Sequence, residues 1–61
     1  MSGLIFRFND WVKITAGAWA GQTGFVKCES EEKDMVQIEV TRDSETLWFY
    51  RNKVEKFSPE I

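Results

Sequence analysis

Apolar residues in this chain recur with a period of two, and they do so five times. "WVKIT" sets Val12 and Ile14 against Trp11 and Lys13, and "GFVKC" sets Val26 and Cys28 against Phe25 and Lys27. "MVQIEV" alternates Val36, Ile38 and Val40 with Gln37 and Glu39. "TLWFY" alternates Leu47 and Phe49 with Trp48 and Tyr50, and "KVEKF" carries Val54 and a nearby Phe57. A period of two places one dry and one wet face on a strand. β-Branched and aromatic side chains fill these runs, as a pleated surface favours. No stretch of ten residues has a helical period; "YRNKV" allows one 3₁₀ turn at Asn52 before the last strand. The polar stretches "ESEEKD" and "TRDSE" read as hairpin loops. The fold class expected is therefore all-β. Five short strands must bend into a small barrel, because a flat sheet would leave one face uncovered.

Length bounds the rest. At 61 residues the chain is one domain with a marginal core, hiding only about 60% of its unfolded surface. Nine aromatics supply large buried area per residue. The single cysteine, Cys28, forms no internal disulfide and is expected to face the core. There is no histidine, so Cys/His zinc sites and His-dependent nucleophile systems are excluded within one chain. Neither an enzymatic activity nor a metal or cofactor is expected. No run reaches the roughly 20 apolar residues of a membrane span, and "MSGLIFRFND" lacks the pattern of a signal peptide. The expected location is cytoplasmic. Residues 1–8 read as an N-terminal extension packing on the barrel, 9–57 as the barrel, and 58–61, with Pro59, as a frayed tail.

Glycines carry a resemblance. "NDWVKITAGAWAGQTGFV" is similar to the KOW motif over Phe8 to Val40: a turn at Asp10, a strand through Val12 and Ile14, and a loop with Gly17, Gly21 and Gly24. Asn9 stands where that motif usually has glycine, and Asn tolerates a left-handed backbone. The resemblance implies an SH3-like barrel with a KOW-type first hairpin. KOW units occur in ribosomal proteins and NusG-like elongation factors, so it also implies contact with RNA, RNA polymerase or a ribosomal protein. Related small barrels dock in photosynthetic complexes, which leaves a protein-docking subunit as the alternative. "AGAWAGQTGFVKC" also resembles type B plasmid-encoded dihydrofolate reductases, tetrameric barrels around one pore, which would imply NADPH-dependent turnover. Tyr50 matches their tyrosine, but Trp48 stands where their glutamine belongs, and an indole has no acceptor.

The candidate binding residues follow from facing. Trp11, Phe25, Trp48 and Tyr50 alternate with core positions and so point outward. Trp19 sits mid-loop, either as a lid on the barrel or as a stacking platform. Arg51 and Lys53 lie where they would hold phosphates beside these rings. Stacking on aromatics suits single-stranded nucleic acid, whereas an exposed aromatic patch suits a protein interface. The net charge of −2 favours protein. "ESEEKD" is expected to be a solvated hairpin tip, and the oligomeric state stays open.

Overall fold

A computed structural model describes residues 3–57. The chain is all-β, with strands β1 (Trp11–Ile14), β2 (Thr23–Ser30), β3 (Met35–Val40), β4 (Glu45–Tyr50) and β5 (Val54–Lys56). They form one antiparallel sheet in the order β4-β3-β2-β1-β5. The expected 3₁₀ turn spans Arg51–Lys53, between β4 and β5. The tail at 58–61 lies outside the described residues.

Alternation does what it promises on most strands. Val12, Ile14, Val26, Val36, Ile38, Val40 and Val54 are buried, and Phe6 from the N-terminal segment joins them. Val12, Ile14, Val36, Ile38 and Val40 have no exposed surface at all. With one sheet and no helical layer, such complete burial requires the sheet to curl over its own inner face. The curl brings the β1–β2 loop, Ala16 to Trp19, beside the last residues of β4. Trp19 and Phe49 complete the core from those two sides.

Two motif glycines are needed for their backbone. Gly17 and Gly21 have φ of +86° and +92°, a region side chains disfavour. Gly24 is needed for closeness: a Cβ there would lie 2.5 Å from the Glu39 carbonyl oxygen on β3. Asn9 holds the left-handed turn expected of it, with φ of +70°. Asp34 and Ser44 take left-handed conformations next to β3 and β4, where each hairpin turn returns.

One strand departs from simple alternation. In β2 the register with β3 slips between Val26 and Cys28, so that Val26 faces Ile38 while Cys28 already faces Gln37. Lys27 is the extra residue of a β-bulge, and a bulge reverses facing beyond it. Cys28 is therefore exposed, which corrects its expected place in the core. Glu29 turns inward in its stead, opposite Val36.

Candidate functional site

The inward turn of Glu29 decides the fate of a candidate residue. Its side chain is only 4% exposed and pairs with Arg51 at 2.9 Å. Oε1 accepts the Phe6 N–H at 2.8 Å, and both carboxylate oxygens accept from the Ile5 N–H at 3.1–3.2 Å. Burial alone would push this carboxyl up; the hydrogen bonds from Arg51, Phe6 and Ile5 outweigh it and hold it below the ordinary 4.5. Arg51 also donates to Asp34 at 2.7 Å and to the Gly3 carbonyl at 2.6 Å. Its pKa is raised by hydrogen bonds to Glu29 first and then Asp34. Arg51 is thus a clasp for the N-terminal segment and the β2–β3 hairpin. So is part of "ESEEKD": Glu29 lies inside, and only residues 31–34 form the solvated turn.

The aromatic candidates separate into two groups. Trp11 and Phe25 are cross-strand partners on β1 and β2, with ring centroids 4.6 Å apart in an edge-on arrangement. Phe57 adds a third ring, 6.3 Å from Trp11. Trp11 and Phe25 are half-buried and Phe57 is exposed; of residues 4–8, Phe6 enters the core, while Leu4, Ile5 and Phe8 are exposed and the Lys27 ammonium lies 5.2 Å from the Phe8 ring.

Trp19, Trp48 and Tyr50 form the second group, and here the surface is concave. A cleft of about 200 Å³ opens between the β1–β2 loop and the end of β4. Its walls are Ala16 to Trp19 on one side and Met35, Trp48, Phe49, Tyr50 and Lys53 on the other. Trp48 and Tyr50 come from the outer face of β4 and Phe49 from the inner face. The cleft takes residues from both faces at the end of β4 and reaches Met35, the partner of Tyr50 on β3. Trp19 is half-buried, packed on the core while still lining the cleft. Trp48 is 45% and Tyr50 56% exposed. Lys53 is the one cation on the lining, and no ion pair holds it among the described residues.

Facing was therefore readable for the strand rings Trp11, Phe25, Trp48 and Tyr50 but not for the loop ring Trp19, and the separation of the rings was not readable, because it depends on how far the sheet curls. Met35, Ala16 and Ala18 were missed as lining; nothing in their residue type marks them. Among the described residues, no group of His, Cys, Asp or Glu is placed to hold a metal ion. No helix among the described residues is long and apolar enough to cross a membrane. No protein-family model matches the chain, and no curated protein matches it.

Proposed function

We propose that this chain is a non-catalytic binding module of KOW type that seats a protein partner in the cleft beside β4. Support for the KOW-type reading comes from the glycines: Gly17 and Gly21 need their positive φ, and Gly24 needs its missing Cβ. Support for a protein partner comes from charge. The observation that carries it is the commitment of Arg51 to Glu29 and Asp34, which leaves Lys53 as the one cation on a lining with four rings. Polyanion binding draws its affinity from several neutralised phosphates, whereas apolar concavities with few polar groups suit protein side chains.

RNA is the second reading, favoured by Lys53 lying beside two stackable rings. Amide-shift NMR with a short oligouridylate, at low and at physiological salt, separates the two. The protein-docking reading expects no saturable shifts at Trp19, Trp48, Tyr50 and Lys53, and binding of a hydrophobic dye that Trp48→Ala abolishes. Saturable shifts at those residues that vanish with salt would replace it with RNA recognition.

A further inference from the structure

Hydrogen-bond parity identifies what the edge of β4 offers. The Arg51 N–H donates to the Asp34 carbonyl at 2.9 Å, in the same register that pairs Tyr50 with Met35. Donors and acceptors alternate along an antiparallel ladder. Residues 45, 47 and 49 therefore bond to β3, and the N–H and C=O groups of Thr46 and Trp48 and the N–H of Tyr50 point to the open side; the Tyr50 C=O, at the N-cap of the 3₁₀ turn, accepts that turn's first bond. Apart from that turn, no loop or inter-element backbone hydrogen bond reaches Thr46, Trp48 or Tyr50 among the described residues. The opposite edge, β5, is three residues long and carries Glu55 and Lys56, the short charged form that resists pairing. β4 is six residues long, and its last five, "TLWFY", carry no charge.

We infer that the occupant of this edge is a second copy of the same chain, paired through β4 in antiparallel fashion about a two-fold axis at Trp48. The inference rests on the docking reading above and names its partner. Only residues with outward backbone groups can face one another, so the allowed registers are few. The register centred on Trp48 uses all three: Thr46 meets Tyr50, Trp48 meets Trp48, and Tyr50 meets Thr46. Registers centred one residue to either side use two. The Trp48-centred register also brings Asp43 of one copy to the end where Lys53 of the other lies, and symmetry repeats that pairing. The register that the backbone favours thus sets Lys53 of one copy near Asp43 of the other, which itself lies 3.8 Å from its own Arg42. The added strand lies beside Trp48 and Tyr50 on the open edge, and an interface of this kind is isologous and closes at two copies.

Sedimentation equilibrium on the full chain across a concentration series tests this. The expected result is a species of twice the 7.2 kDa chain mass. Tyr50 has φ of −67°, which proline adopts, and its N–H faces the open edge. Tyr50→Pro should therefore keep a dispersed amide spectrum and remain monomeric. Trp48→Lys, placing like charges opposite each other at the axis, should do the same, so the test survives if one variant fails to fold. Asp43→Lys or Lys53→Asp alone should weaken the dimer, on the order of tenfold, as like charges meet; the two together should restore it. A wild-type monomer at every concentration, or a dimer indifferent to Tyr50→Pro and Trp48→Lys, overturns the inference. A monomer whose cleft still binds a hydrophobic dye, with loss in Trp48→Ala, removes the second copy alone. A monomer without dye binding removes the docking reading as well.

Discussion

Glu29 shows how much one side chain can organise in so small a chain. It joins the N-terminal segment, through Ile5 and Phe6, to Arg51 at the far end of β4. Glu29→Ala would leave the Phe6 N–H without its acceptor, at a cost of about 1–3 kcal/mol. For a domain of this size that lowers Tm by roughly 4–8 °C per kcal/mol, measurable by thermal melts. The pH dependence has a definite sign. The folded carboxyl is held below 4.5, so its stabilisation is complete above 4.5 and is lost as the pH falls through the lower folded value. Urea melts of the wild type should lose stability on acidification below that point, and Glu29→Gln should show a shallower loss. Equal slopes would mean that the carboxylate charge contributes nothing.

At the scale of elements, the strands were legible because a one-sided sheet imposes its period on the residues that build it. Val12, Ile14, Val36, Ile38 and Val40 take the faces that alternation assigns. β2 defeats that reading because a bulge adds a residue without changing composition: Lys27 resembles any outward lysine. A signal existed in the next hairpin. A turn confined to residues 31–34 pairs Ser30 with Met35 and hence Glu29 with Val36, which faces the core. Acidity alone made "ESEEKD" look wet throughout. The cleft was half legible. Period placed Trp48 and Tyr50 outward, but no pattern in the chain tells how closely the β1–β2 loop approaches them. Gly24 tests the packing of β2 on β3. Gly24→Ala puts a methyl against the Glu39 carbonyl, and such overpacking typically costs about 1–3 kcal/mol. Reduced stability with retained strand signals in circular dichroism is expected; a neutral substitution would show that the two strands yield.

For the whole molecule, stability and surface pull against each other. At typical values per residue the chain has about 3–9 kcal/mol in hand. Ile38→Ala, in the fully buried centre, would remove about 2–5 kcal/mol of it. Fluorescence melts should find that variant largely unfolded near physiological temperature. A protein this close to its limit nevertheless leaves Trp48 and Tyr50 in water, at the rim of a cleft and along an unpaired edge. Burying them against a partner would take that ring surface out of water. The most direct test is a dilution series of amide NMR spectra on the intact chain. The account predicts concentration-dependent shifts confined to Asp43, the residues of β4, Lys53 and the loop from Ala16 to Trp19, with Glu55 and Lys56 unmoved. Spectra that do not change with concentration, or changes centred on β5 or on Trp11 and Phe25, would contradict it.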